Sequence, residues 1–451
     1  MSAHSTAAVI GAGIAGTAAA YQLKKAGFDV TIFEERDRVG GRIWTIRKGD
    51  YVMDLGTSAY LGTYKEAIEL IHEVGLGTEF TTRPALGAFP REGTNHYIDY
   101  TKMLSAGFKT KLLSPGAKIK ALRMLADVYK VRKSLGYDRY DQLAEVDTET
   151  VREYCRRVLN EELLQWLGRP LVSGTWVADD NDTSVALLLW TVRNMLAPNV
   201  YNLDSGVAGL PVKLATYVDT RLEHTVSNVT DNGSSVEVTY SAGGGPERTD
   251  PFDTCVIAAT AEPAMKMYPQ MDEETAELYA TTRYRKLGSI CLGLSKRPKS
   301  DATYFLTSPH EDPDTIAIIS DHIKGGGRAP EGKGLLTVLL SHEYLERTEH
   351  LSDEQVLEYA VDRASKYHGY DVGADLEESA VVRWPMSVPT MDKGRFAMIA
   401  EYHRKIDRGA RVQFASDLDR ISGLNGGLVS GQQAARRVVA GFPAGVSAGA
   451  G

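Results

Sequence analysis

Gly11, Gly13 and Gly16 are spaced as GxGxxG, and an acid, Glu34, stands eighteen residues beyond the last of them. These types at this spacing suit phosphate chemistry. The first glycine permits a tight turn, the second lets a phosphate approach the backbone, and the third lets a helix pack closely on a strand. Free N–H groups over Gly13, Ile14, Ala15 and Gly16, at the positive end of a helix, would face a pyrophosphate. Glu34 would accept hydrogen bonds from a ribose diol and repel a 2′-phosphate, so the expected nucleotide carries an unphosphorylated adenosine, as FAD or NAD does.

The surrounding elements place that acid. "AAVI" is an apolar run suited to a parallel strand buried on both faces, and "TAAAYQLKKAG" reads as a helix closed by Gly27. "DVTIFE" is the next strand, with Glu34 at its end. A glycine triplet alone is common in ordinary loops; strand, turn, helix, strand and terminal acid in register are not.

The chain has 451 residues, which favours two domains over one core. A formal net charge of -8 gives no reason to expect a nucleic-acid partner. Cys155, Cys255 and Cys291 are far apart and lack CxxC spacing, which offers neither a disulfide framework nor a zinc site and suits a reducing compartment. "HEYLE" at His342 lacks the second histidine of a zinc hydrolase, and no metal is expected. No leader peptide or membrane span is read from the sequence, so a cytoplasmic location is expected.

"ERDRVGGR" continues from the acid with Glu35, Arg36, Gly40, Gly41 and Arg42, and "DLGTSAY" brings Gly56, Thr57 and Tyr60. Near the C-terminus stands "RVQFASDLDRISGLNGGLVSGQQAARRV". Together these resemble the flavin-containing amine oxidase superfamily, which also holds protoporphyrinogen oxidases and phytoene desaturases. The resemblance implies non-covalent FAD. Glu34 would hold the ribose, the GGR turn the pyrophosphate and flavin end, and Gly56 and Thr57 would pass beside the flavin. Val226 falls where the family places a backbone contact to adenine. Asp417 matches the acid near the pyrophosphate and ribityl chain, with Ser416 where the family often has glycine. Leu424, Gly426 and Gly427 match a turn into a helix whose N-terminus faces the flavin.

The implied fold is α/β: a Rossmann-like, glutathione-reductase-type FAD-binding domain with an inserted α+β substrate-binding domain. The FAD domain would be discontinuous, from residues 1–95, 205–265 and 390–451, and the substrate domain would comprise 96–204 and 266–389. Helical stretches over 109–200 and strand-like runs over 283–340 agree with that division. A hairpin is expected over 231–258, and a helix capped by Ser352 should end at Gly369. "PAGVSAGAG" at the C-terminus reads as a disordered tail.

Amine-oxidising relatives usually carry a lysine on the strand after a "GS" pair. Here Leu287 to Leu294 contains none, Lys286 and Lys296 lying at the ends of "KLGSICLGLSKRP". Leu424 stands where those relatives tend to place an aromatic, and no cysteine is there to attach a flavin. "VVRWPMSVPTMDKGR" resembles a protoporphyrinogen-oxidase-like segment, with Trp384 a candidate pocket wall and Tyr60 a second; packed core aromatics are the plainer alternative. Arg193 and Asn194 are weaker pocket candidates.

The expected activity is an oxidase or dehydrogenase that passes a hydride from a largely apolar, cyclic or conjugated small molecule to flavin N5, introducing a double bond. Oxygen or another carrier would then accept the electrons. An amine or amino-acid oxidase is the alternative. A flavin-free binding module of the same fold is disfavoured by the intact motifs. Catalytic residues and oligomeric state are not legible. A helix with Lys118, Lys120, Arg123, Lys130, Arg132 and Lys133 has an apolar stripe, Ile119, Leu122, Leu125 and Val128. It suits either an anionic membrane or, the reading favoured here, a solvated basic face over the core.

Overall fold

The computed structural model describes residues 5–133, 140–195 and 199–442. The C-terminal tail expected to be disordered lies outside the described residues.

The apolar run at the start is the strand Thr6–Ile10, whose Ala7, Ala8 and Val9 are fully buried. It is the middle of a five-stranded sheet ordered Asp219–Arg221, Asp29–Phe33, Thr6–Ile10, Thr254–Ile257, Val412–Phe414. All four pairings are parallel. Two helices, Ile14–Lys25 and Leu424–Gly441, pack against each other beside it. They meet at glycine: a Cβ on Gly431 would lie 2.0 Å from the Ala15 carbonyl oxygen.

The expected hairpin is present as Val236–Ala242 paired antiparallel with Glu247–Phe252, and His224–Asp231 adds a third strand. A seven-stranded sheet runs Leu376–Pro389, Tyr284–Leu294, Gly334–Leu340, Thr315–Ser320, Tyr304–Leu306, Leu86–Arg91, Thr94–Asp99. Its apolar face, including Ile290, Leu292, Phe305 and Val338, packs on Val356, Ala360 and Ala364 of the helix Asp353–His368. That helix starts in a Ser352–Gln355 capping box and ends at Gly369 in the left-handed region, φ 72°, as the sequence implies. The hairpin of Leu86–Arg91 and Thr94–Asp99 crosses the expected boundary at residues 95/96 and belongs to this second sheet.

Helices occupy most of the segment between Pro115 and Met195, among them Pro115–Val131, Val151–Val158, Arg169–Trp176 and Val185–Met195. The stripe read in the first of these is not one face. Ala117, Met124 and Val128 are buried, whereas Ile119 and Leu122 are exposed. Steps of three residues drift back about 60° each at ~100° per residue, so Ile119 and Val128 point to opposite sides. Among the described residues, no helix is long and apolar enough to cross a membrane, and no group of three or more His, Cys, Asp or Glu side chains could hold a metal ion.

Candidate active site

The glycine turn is held by close packing. Gly11 has φ 100°, donates its N–H to the Phe33 carbonyl at 2.7 Å, and would drive a Cβ to 2.7 Å from the Ala258 oxygen. A Cβ on Gly16 would lie only 1.9 Å from the Gly11 oxygen. Gly13 differs: nothing lies within 4 Å of its missing Cβ, and it forms part of a cavity wall. The helix that follows has no side-chain cap and no acid in its first turn, leaving its N-terminal N–H groups without an internal anion.

Glu34 is 6 % exposed. It accepts hydrogen bonds from the Ala12 N–H at 2.7 Å and the Arg36 N–H at 3.1 Å. Burial raises its pKa, and the two N–H groups oppose that rise. The second glycine turn abuts the first. Gly40, φ 111°, donates to the Ala12 carbonyl at 2.9 Å, and a Cβ on Gly41 would meet the Gly13 Cα at 3.2 Å. Arg42 leaves this turn to form a two-pronged pair with Asp417 and to donate to the Ser387 carbonyl at 2.8 Å. Burial lowers the Arg42 pKa, but Asp417 outweighs it and the net shift is upward.

The C-terminal turn reaches the same place. Gly423, φ 110°, donates its N–H to Asp417 at 3.3 Å and starts the helix Leu424–Gly441, again with no side-chain cap and no acid in the first turn. Two uncapped helix N-termini therefore open on one cavity. Its volume is about 770 Å³, within the roughly 300–1,000 Å³ of small-molecule sites.

Of the residues expected at the cofactor, Gly16 and Gly426 lie outside the wall, and all the others line it. Gly426 serves packing, since a Cβ there would sit 2.0 Å from the Ile421 oxygen. Val226 lines the cavity from the strand His224–Asp231. Trp384 lines it too; its indole N–H donates to the Leu55 carbonyl at 2.7 Å, and Gly56 lies against its ring. Tyr60 does not. It is fully buried, with its hydroxyl donated to the Val207 carbonyl at 2.7 Å, so it is a packed residue and not a pocket wall. Asn194 lines the cavity and donates to the Trp190 carbonyl at 2.7 Å, whereas Arg193 is not in the wall.

The charged side chains in the wall are Glu34, Glu35, Arg36, Arg42, Lys266 and Asp417, with His224 the one histidine. All but Lys266, one residue past the second of them, lie on the three segments expected to hold FAD. The other end is walled by neutral groups: Tyr64, Tyr100, Trp176, Trp190, Tyr304, Leu306, Ile319, Leu339 and Trp384 among them. Trp176 and Trp190 meet edge to face at 5.5 Å, and the Trp176 N–H donates to Thr191 Oγ1 at 2.7 Å. Sequence reasoning missed these two tryptophans and Tyr304. Local spacing carries no signal for them, because a helix pair and a strand from distant segments bring them together.

The residues present fit a dinucleotide. Gly13 leaves room at the wall, uncapped helix ends supply donors, and the buried acid stands beside them. The three cysteines are buried away from the cavity. This combination defines a dinucleotide-binding protein. The family described as flavin containing amine oxidoreductase matches residues 14–439, and the chain belongs to that family. It is an FAD-dependent enzyme that holds its flavin non-covalently. It is similar to the coproporphyrinogen III oxidase of Bacillus subtilis (strain 168), 22% identical over 433 residues, covering 87% of this chain and 89% of that one. Among solved structures it resembles the cyclohexylamine oxidase from Brevibacterium oxydans IH-35A, with TM-score 0.76, 19% identity and coverage of 97% and 99%. It also resembles a putrescine oxidase bound to putrescine, with TM-score 0.74, 16% identity and coverage of 97% and 99%.

Proposed function

We propose that the enzyme oxidises a neutral, largely apolar small molecule, cyclic or conjugated, and introduces a double bond into it. The observation that carries this reading is the wall beyond the cofactor cradle, where aromatic and aliphatic side chains meet no charged group. Desolvating an ammonium or a carboxylate there without a partner would cost several kcal/mol. A diamine such as putrescine and a polycarboxylated tetrapyrrole, the chemistry in the names of two relatives, both lack an ion partner in this chamber. A monoamine entering as its free base is the second reading, favoured by the likeness to cyclohexylamine oxidase.

Bound FAD supplies a two-electron acceptor. The chain's own residues bind and orient. In this reading Gly11, Gly13, Ile14, Ala15, Gly40 and Gly41 cradle the pyrophosphate, Glu34 takes the ribose, and Val226 meets the adenine. Arg42, paired with Asp417, holds the middle of the cofactor, while Gly56, Thr57 and the turn Leu424 to Gly427 flank the flavin. The helix end at Leu424 stabilises negative charge at its N-terminus. Trp384, Trp176, Trp190 and Tyr304 exclude water and hold the substrate near the ring. The parallel sheet supports a Rossmann-like FAD domain. The seven-stranded sheet and the helices between Pro115 and Met195 would form the substrate domain, with the Leu86–Asp99 hairpin on that side.

The test is anaerobic mixing of the FAD-loaded enzyme with three groups of compounds: neutral alicyclic or conjugated molecules, putrescine, and coproporphyrinogen III. Bleaching of the flavin band by the first group alone supports the reading. Rapid bleaching by putrescine or the tetracarboxylate, with none by neutral rings, overturns it. Readmitting air then separates an oxidase from a dehydrogenase.

A further inference from the structure

One face of the seven-stranded sheet forms part of the chamber wall. Tyr304 pairs in register with Ile319 and Leu306 with Ala317, and all four line the chamber. Phe305, between Tyr304 and Leu306, points the other way into the core under the helix Asp353–His368. Polar atoms on the neighbouring aromatic walls are already taken. The Trp176 indole donates to Thr191 and the Trp384 indole to the Leu55 carbonyl, each at 2.7 Å. Tyr304 differs. It is partly buried, the surface it keeps is turned to the chamber, and its hydroxyl makes no hydrogen bond among the described residues.

A second tyrosine approaches from the adjoining strand. Gly87 is the register partner of Tyr304, and a Cβ on Gly87 would collide with the Tyr100 hydroxyl. Glycine thus leaves room on the sheet for the Tyr100 phenol beside Tyr304. The Tyr100 hydroxyl is sealed against that backbone, whereas the Tyr304 hydroxyl is open to the chamber. Burial pushes the Tyr304 pKa up, and Asp321, Tyr100 and Tyr64 push it further in the same direction. The group therefore stays a neutral phenol with a proton to donate.

An unused hydroxyl facing an apolar chamber costs free energy until it meets a partner. Water suits the place poorly, because it needs two to four polar partners and the residues beside Tyr304 in register are Gly87 and Ile319. A carbonyl oxygen suits it well, since it asks only for a donor. An alcohol or an N–H also asks for an acceptor, and one phenol cannot both donate to and accept from the same group.

We propose that Tyr304 is the specificity-determining residue of the chamber, its phenol donating to a neutral carbonyl oxygen on the substrate. The substrate is then a cyclic or conjugated ketone and not a bare hydrocarbon. This rests on the reading of a neutral substrate given above.

The FAD-loaded enzyme is titrated with cyclohexanone and with cyclohexene, wild type against Tyr304→Phe, while the flavin's visible band is followed. Phenylalanine keeps the ring and removes an oxygen that no protein group uses, so the flavin-free variant should melt at the wild-type temperature. The variant should bind the ketone about tenfold more weakly and the alkene within about twofold of wild type. Infrared difference spectra give a second readout. The carbonyl stretch of bound cyclohexanone should lie at lower wavenumber in wild type and in Tyr100→Phe than in Tyr304→Phe. Equal losses for ketone and alkene overturn the proposal, as does a ketone whose affinity and stretch ignore Tyr304→Phe. If neither neutral ring perturbs the wild-type flavin while putrescine or benzoate saturates it, the neutral-substrate reading falls and the proposal falls with it.

Discussion

Arg42 and Asp417 stand 375 residues apart in the chain and meet with N···O distances of 2.6 and 3.1 Å. Arg42 also donates to the Ser387 carbonyl, and Asp417 accepts from the Gly423 N–H. Two side chains thus join the second glycine turn, the strand-end segment after Trp384 and the turn before the last helix. These are three of the pieces that wall the main cavity.

Replacing Arg42 by Met removes the guanidinium and leaves Asp417 buried without its cation. The expected cost is about 3 kcal/mol, the size of breaking a buried pair from one side. Flavin occupancy after purification, read as the ratio of flavin to protein absorbance, should fall by an order of magnitude or more. Arg42→Lys should recover only part of it, because an ammonium cannot reproduce the two-pronged geometry.

Gly13 and Gly16 should respond in opposite ways. Gly13→Val projects a side chain into open cavity space, so the flavin-free protein should melt within a few degrees of wild type while FAD affinity drops by a hundredfold or more, about 2.7 kcal/mol. Gly16→Ala forces a Cβ to 1.9 Å from a carbonyl oxygen. It should destabilise the fold itself by roughly 1–3 kcal/mol, seen as a lower melting temperature of the flavin-free protein. Equal flavin loss with equal destabilisation in both variants would contradict this division.

Trp384→Phe keeps an aromatic wall but loses the N–H bond to Leu55, for a stability loss of about 1 kcal/mol. Trp384→Ala opens the chamber beside Gly56 and should cost about 3–5 kcal/mol. The Ala variant should also change the flavin's visible band far more than the Phe variant does.

His368 and His403 bring a pH dependence. Burial, the larger cause, lowers each to about 4. The unfolded chain therefore binds more protons between about pH 4 and the ordinary histidine value of ~6.5. Stability is full above that window and is lost as pH falls through it, by up to about 1.4 kcal/mol per pH unit for each ring. Melting temperature measured from pH 7 to pH 4 should decline. Each of His368→Gln and His403→Gln should flatten the decline, each judged against its own value at pH 7.

The cradle was legible because its logic is local. Gly11, Gly13, Gly16 and Glu34 belong to one strand–turn–helix–strand run, so their placement around one turn could be read from the spacing. Arg42 and Asp417 were each legible through motifs, yet nothing in the sequence joined them, since pairing over such a separation is decided by how the sheets close. The chamber was less legible still. Trp384 could be named, but Trp176, Trp190 and Tyr304 reach the wall by tertiary packing, and Tyr60 is turned away by its bond to Val207. The basic helix misled for a geometric reason: a run of three-residue steps resembles a stripe in the sequence and winds half-way round the helix in space.

The uncharged chamber is tested most directly by binding, without turnover. The FAD-loaded enzyme is titrated with cyclohexanone, putrescine and benzoate while the flavin's visible band is followed. Saturable perturbation by the neutral ring, with at least about tenfold weaker effects from the dication and the anion, is expected from the cost of stripping water from an unpaired charge. Tighter saturation by putrescine or benzoate than by cyclohexanone would contradict it.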